Sequence, residues 1–236
     1  MNISILYEDD LVIAFNKPAG LLVHGDGRPN GPTLVDWIKE HRPEVVGAGE
    51  NIVLGSGEII ERPGIVHRLD KDTSGVILVA KNHDVFLFLK EQFQLREVYK
   101  VYSAFVYGRI KDMEGSIDRQ IGRSASDFRK WSAQRGARGA LREAVTDYRC
   151  IKATDEWSFV EVYPKTGRTH QIRVHFKAIH HPLVCDALYA PNHKCLLGFK
   201  RTALHALSIS FLLPDGQRMI VTAPYPEDFK RVFGNS

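Results

Sequence analysis

Short apolar stretches dominate the chain, and their period changes along it. Residues 3–7 and 11–16 (ISILY and LVIAFN) are β-branched and aromatic runs around the acidic turn Glu8-Asp9-Asp10, which predicts an opening β-hairpin. Thr33 followed by LVDWIKEH predicts a helix capped by the threonine and ended before Pro43, while the Gly-rich residues 45–62 read as a loop. VILVA then reads as a strand, and Asp84 to Leu95, with Val85, Phe86, Phe88, Leu89 and Phe93 on one face, as a helix. Alternation over 98–106, 144–152 and 157–163 predicts long strands of one sheet. Residues 169–179 read as a helix capped by Thr169 and stopped before Pro182. Residues 204–213 and 218–223 form a predicted hairpin around Pro214-Asp215-Gly216, and 226–233 a last short helix. No repeat, low-complexity tract or linker interrupts this series. The expectation is one α+β domain over residues 1–236, on a mostly antiparallel mixed β-sheet with flanking helices and loops.

Composition narrows the class. With 236 residues, 44% of them hydrophobic, the chain is long enough to bury a core. Its start, MNISILYEDD, has acids where a signal peptide needs a basic and then apolar run, and no apolar stretch approaches the ~20 residues of a membrane span. A cytoplasmic protein without a membrane partner is expected. Three cysteines, Cys150, Cys185 and Cys195, fit no framework spacing, so reduced thiols are expected. The net charge of +4 is mild, but its distribution is not. Seven basic residues, Arg119, Arg123, Arg129, Lys130, Arg135, Arg138 and Arg142, face one acid, Asp127, in an insertion about 119–142 that also holds Phe128 and Trp131. Such a stretch suits phosphates and stacked bases, with Arg129, Lys130 and Arg135 as backbone contacts; the plain alternative is a solvated, mobile loop.

The densest group of reactive side chains is His67-Arg68-Leu69-Asp70-Lys71-Asp72-Thr73-Ser74-Gly75, between the Pro63 break and VILVA. Loops on rigid scaffolds favour catalytic groups, although by chemistry alone these residues equally form a capped turn with surface ion pairs. The full string HRLDKDTSG closely resembles the signature of the RluA-type RNA pseudouridine synthases, in which the Asp of HRLD is catalytic. Lys17-Pro18-Ala19-Gly20 with Val23-His24 resembles that family's first motif, and Tyr99-Lys100-Val101-Tyr102-Ser103-Ala104 its tyrosine motif. Residues 165–175, KTGRTHQIRVH, resemble its third motif. The four occur in the family's order over nearly the whole chain. Two departures stand out: Cys185 and Ala190 occupy positions where the family usually or often has Gly.

The resemblance implies a stand-alone catalytic domain, without an appended N-terminal RNA-binding module, that isomerises uridine in ribosomal or transfer RNA. Breaking N1–C1′, turning the base and joining C5 to C1′ involves no net redox change, so neither cofactor nor metal is expected. Asp70 becomes the carboxylate acting at C1′, at the uracil ring or on a ribose proton. A carboxylate lying against a base needs an adjacent cation, and Arg173 is the choice, with Arg168 competing. Ile172 becomes the apolar floor beneath the uracil, and Tyr102 stacks on it and mediates proton transfer at C5. Arg68 fills the place the flipped nucleotide vacates, and His67 lies beside it in the binding region. The expected partner is a stem-loop of rRNA or tRNA, not DNA, and the expected state a monomer.

Other readings carry less. His180, His181, Cys185, His193 and Cys195 have poor spacing for zinc, and no base–orienter pair accompanies Cys185 as a thiol nucleophile. Asp70 and Asp72 as a glycosidase pair would leave the tyrosine and third motifs unexplained. The main alternative is a non-catalytic RNA-binding or chaperone protein on the same scaffold, which would have no chemical need for Asp70.

Overall fold

The computed structural model describes residues 3–25, 31–53, 55, 57, 59–60, 62–134 and 136–234. The chain divides into two compact units, Met1–Tyr99 with Ala206–Pro224, and Lys100–His205 with Tyr225–Ser236. The first opens with β1 (Ser4–Glu8) and β2 (Val12–Lys17), then α1 (Leu34–His41), a 3-10 turn (Pro43–Val45), β3 (Ile52–Val53), β4 (Ile59–Ile60), β5 (Gly64–Ile65), β6 (Ser74–Ala80) and α2 (His83–Leu95). From β7 (Tyr99–Tyr107) the second unit runs through β8 (Glu114–Asp118), β9 (Ile121–Arg123), β10 (Trp131–Ser132), β11 (Arg138–Arg142), β12 (Val145–Ala153), β13 (Trp157–Pro164) and α3 (Gln171–Ala178). β14 (Leu204–Leu212) and β15 (Arg218–Thr222) complete the first unit, and α4 (Glu227–Gly234) the second.

In the first unit β2 pairs antiparallel with both β1 and β6, β5 pairs with the end of β6, and β15 pairs with β14. Every residue of β6 is buried, which explains why VILVA is a continuous apolar run rather than an alternating one. Its Val76 and Leu78 pack with Val85, Phe86 and Leu89 of α2 and with Ile209 and Phe211 of β14. Asn82 starts α2 by accepting the Val85 N–H at 3.0 Å. α1 begins at the predicted Thr33, whose hydroxyl accepts the Asp36 N–H while Asp36 accepts the Thr33 N–H, a reciprocal capping box. The region 45–62, expected to be a loop, instead contains the small hairpin β3–β4, in which Ile52 pairs with Ile60 and Val53 with Ile59. Each strand is two residues long, too short for a period to register.

The second unit is built on β7–β13–β12–β8, antiparallel throughout, with Tyr102 opposite Val162. α3 is capped one residue later than expected: its N-cap is His170, in the left-handed conformation at φ 56°, and not Thr169. The His170 side chain makes no cap hydrogen bond. Its Nδ1 instead meets the Tyr189 hydroxyl at 2.9 Å, which holds the strained residue in place. The basic insertion is not a loop: β9 pairs with β10 on one side and β11 on the other. Ile121 with Ala144, Val174 and Tyr189 forms a core beneath this small sheet, with Trp131 and Ala133 packed against it. Those apolar residues, interleaved among the arginines, give the basic segment a face to bury.

The expectation of reduced thiols is also corrected. Cys185 and Cys195 form a disulfide with Cα atoms 4.6 Å apart, while Cys150 is a buried thiol. Spacing along the chain could not reveal a pairing that depends on where the segment folds back. Cys185 is left-handed at φ 59°, a conformation in which glycine is unstrained, which explains glycine as the family's usual residue there.

Candidate active site

The HRLD loop joins β5 to β6 in the first unit, and its neighbours fix its path. Lys17, at the end of β2, is fully buried, and its Nζ donates to the carbonyls of Pro18 at 2.9 Å, Leu21 at 2.8 Å and Lys71 at 3.0 Å. The Gly20 N–H donates to the same Lys71 carbonyl at 2.9 Å, so the first motif grips the signature loop through one peptide. His67 accepts the Leu78 N–H on Nε2 at 2.9 Å, continuing the ladder where β5 leaves β6, and its ring stacks on Phe93 at 5.1 Å. That acceptor role requires the proton on Nδ1. Leu69 is buried, Asp70 half-buried, and the Thr73 N–H closes a tight turn on the Asp70 carbonyl at 3.1 Å. The Asp70 carboxylate thus rides on a turn held on both sides. Arg68 is exposed. Burial, reinforced by the charges of Arg62 and Arg68, pushes the His24 imidazole down to about 4.

In the second unit Tyr102 and Ile172 both belong to the apolar cluster of Ala104, Val160, Val162 and Phe176, with Ile172 buried and Tyr102 at its margin. Lys100, two residues before Tyr102 on β7 and so on the same strand face, has its ammonium pushed down to about 8 by burial. Arg173 is engaged by a residue that the sequence did not single out. Its Nε and Nη2 donate to the Asp186 carboxylate at 2.7 and 2.8 Å, a bidentate pair in which Asp186 has no solvent exposure. Asp186 also accepts the Leu188 and Tyr189 N–H groups at 3.0 Å each, and the Tyr189 ring lies 5.0 Å from the Arg173 guanidinium. Arg168, the competing arginine, donates through Nε to the Glu143 carbonyl at 3.0 Å, bracing the turn before α3.

Gln171 and His175 hold α3 to β12. Gln171 accepts from the Thr166 hydroxyl and Arg168 N–H and donates to the Val145 carbonyl and Thr146 hydroxyl, all within 2.7–3.0 Å. His175 is fully buried between Thr146 Oγ1 and the Arg119 carbonyl, 2.9 Å from each, and burial lowers its pKa. The neutral ring then donates from Nε2 to the carbonyl and accepts the threonine proton on Nδ1.

Of the proposed backbone contacts, Arg129 is exposed and forms a fork with Asp127, whose carboxyl it holds well below the usual range. Lys130 lies 3.6 Å from the same acid, and Arg135 falls outside the described residues. Asp186, Lys17, Gln171 and Tyr189 are the residues that sequence reasoning missed. Lys17 and Gln171 stand inside the motif strings, whereas Asp186 and Tyr189 lie outside them, and the partners Lys71, Val145, Arg173 and Trp131 are not their sequence neighbours.

The first unit presents Asp70 on a pinned turn, and the second carries a small basic sheet. The structure of human RNA pseudouridylate synthase domain containing 1 matches with a TM-score of 0.72 at 26% identity, over 95% of this chain and 84% of that one. The chain belongs to the RNA pseudouridylate synthase family, whose profile matches residues 11–178. An uncharacterized RNA pseudouridine synthase of Synechocystis sp. is 39% identical over 98% of this chain and 68% of its own length. Ribosomal large subunit pseudouridine synthase D of Xanthomonas campestris is also 39% identical, with the same two coverages. The protein is therefore an RNA pseudouridine synthase, an isomerase. Among the described residues no helix is long and apolar enough to cross a membrane.

Proposed function

We propose that this chain isomerises specific uridines of ribosomal RNA, with Asp70 as its catalytic carboxylate. The observation that carries the reading is the placement of Asp70, at the signature position of the family, on a turn that the buried Lys17 and the His67 ring hold in shape. A carboxylate fixed in this way serves as nucleophile or base while the N1–C1′ bond breaks, the base turns, and C5 joins C1′, with the C5 proton removed and a proton taken up at N1. Arg173, oriented by Asp186, supplies the positive charge that a carboxylate against a base requires; Arg168, committed to the Glu143 carbonyl, is the weaker choice. Tyr102 stacks on the uracil over the apolar floor that includes Ile172, and passes the C5 proton. Arg68 occupies the place of the flipped nucleotide.

One catalytic domain is the accompanying proposal, supported by a family match that runs unbroken through residues 99 and 100. Ribosomal rather than transfer RNA is favoured by the relatives named ribosomal large subunit pseudouridine synthase D in Xanthomonas campestris and Zymomonas mobilis. The protein acts as a monomer in the cytoplasm. Deleting the gene and mapping pseudouridine across ribosomal and transfer RNA tests the substrate. Loss of sites in ribosomal RNA, restored by the wild type, is expected. Loss confined to transfer RNA would overturn the substrate, and loss of no site, with RNA binding retained by the purified protein, would favour a non-catalytic binder.

A further inference from the structure

The small basic sheet does more than spread charge. Between it and the second half of α3 lies a cavity of about 220 Å³, lined by Ser124, Ser126, Lys130, Trp131, Gln134 and Lys177 with Val174 and Ala178 on the helix side. That is many times the space one water needs, enough for a phosphate group with its hydration water. Its polar lining holds two ammonium groups, which only donate, together with hydroxyls and an amide, which donate and accept.

The charges around the cavity are not balanced. Lys177 is half-buried, and its pKa is lowered first by burial and then by the neighbouring Lys130, with Asp186 acting in the opposite direction. Lys130 has Asp127 at 3.6 Å, but that acid is already forked to Arg129. Arg123 stacks on the Trp131 ring at 4.2 Å, adding a further cation to the same sheet. Two lysines that line one cavity, with Lys130 disfavouring the charge of Lys177, leave an anion as the complementary occupant.

The position of the cavity indicates which anion. Lys177 follows Arg173 by one turn of α3, on the same face, and both cations lie over the Tyr189 ring, at 5.6 and 5.0 Å. The Tyr189 hydroxyl accepts the Trp131 N–H at 3.0 Å and meets His170 Nδ1 at 2.9 Å, so the helix, the ring and β10 form one fixed support. A strand whose target uridine sits at Arg173 would carry its neighbouring phosphate to Lys177.

We propose that this cavity binds a phosphodiester group of the RNA substrate, gripped jointly by Lys130 and Lys177 next to the target nucleotide. The proposal rests on the assignment of Arg173 to the uridine site; the binding itself does not require turnover. The test measures RNA affinity against salt for the full chain and for Lys177→Met, Lys130→Met, the double variant, Lys177→Arg and, as a control on α1, Lys39→Met. Each single neutralisation is expected to weaken binding roughly fivefold to tenfold and to lower the salt slope by about 0.7, the value of one single-strand phosphate. Because one phosphate is shared, the double variant loses no more slope than either single, KM rises more than kcat falls, and Lys177→Arg restores the slope.

An unchanged slope in the Met variants would overturn the site, as would an equal loss from Lys39→Met, which would mean diffuse attraction. A second arm adds inorganic phosphate alone. If phosphate raises the Tm of the wild type but not of the double variant, while RNA binding is the same in both, the cavity takes free anions and the RNA assignment falls. An Asp70→Asn protein that still makes pseudouridine would remove the catalytic proposal but leave these binding slopes intact, so the two failures are distinguishable.

Discussion

Individual side chains here act in pairs, and the pairs predict what substitutions do. Arg173 and Asp186 share two charge-assisted hydrogen bonds, the carboxylate fully buried and the Arg173 side chain 11% exposed. Removing one partner leaves a buried charge uncompensated, so Asp186→Ala is expected to cost about 3–5 kcal/mol in urea denaturation and to lower kcat more than it weakens RNA binding. Asp186→Asn, which keeps an acceptor for the Leu188 and Tyr189 N–H groups, should lose less. A loss below about 1 kcal/mol for the alanine variant would mean that the pair contributes no more than an exposed one. His24 makes a pH prediction. Its folded pKa, about 4, lies below the ordinary 6.5, so the unfolded chain takes up the proton first. The contribution to stability is complete above about 6.5 and is lost as pH falls toward 4. In an NMR titration the His24 ring should have a midpoint near 4; a midpoint near 6.5 would contradict the half-buried, cation-flanked setting.

At the level of elements, most of the architecture was legible because each signal was local. The opening hairpin, the Thr33-capped helix, VILVA, α2 and the β14–β15 hairpin follow from period and capping chemistry that act within a few residues. The elements that escaped depend on distant partners. The β3–β4 hairpin is too short to show a period, α3 starts at a left-handed His170 fixed by Tyr189, and the basic segment folds into a sheet because Ile121 and Trp131 find Val174 and Tyr189. The same division runs through the site: the motifs marked Asp70, Tyr102 and Arg173, while the partners Asp186 and Lys17 became visible only in three dimensions. Gly75 shows why the signature ends in glycine. At φ 114°, with an added Cβ placed 2.1 Å from the Ala206 carbonyl oxygen of β14, it tolerates no side chain. Gly75→Ala is expected to destabilise the protein by at least about 1–3 kcal/mol and to lower the yield of folded enzyme, measured by thermal unfolding. A variant with unchanged Tm would show that β6 and β14 separate easily.

For the molecule as a whole, family membership and catalytic assignment rest on different grounds. The fold and the match over residues 11–178 define an RNA pseudouridine synthase, whereas the role proposed for Asp70 is supported by its motif position and by the pinned turn that carries it. The most direct test of that role incubates the purified wild type and Asp70→Asn with RNA from a host lacking the gene, and measures both pseudouridine formed and RNA bound. The wild type should form pseudouridine at defined sites, and Asp70→Asn should form none while binding RNA within a few-fold of the wild type. Pseudouridine made by Asp70→Asn at a comparable rate would contradict the assignment and move the chemistry to another residue.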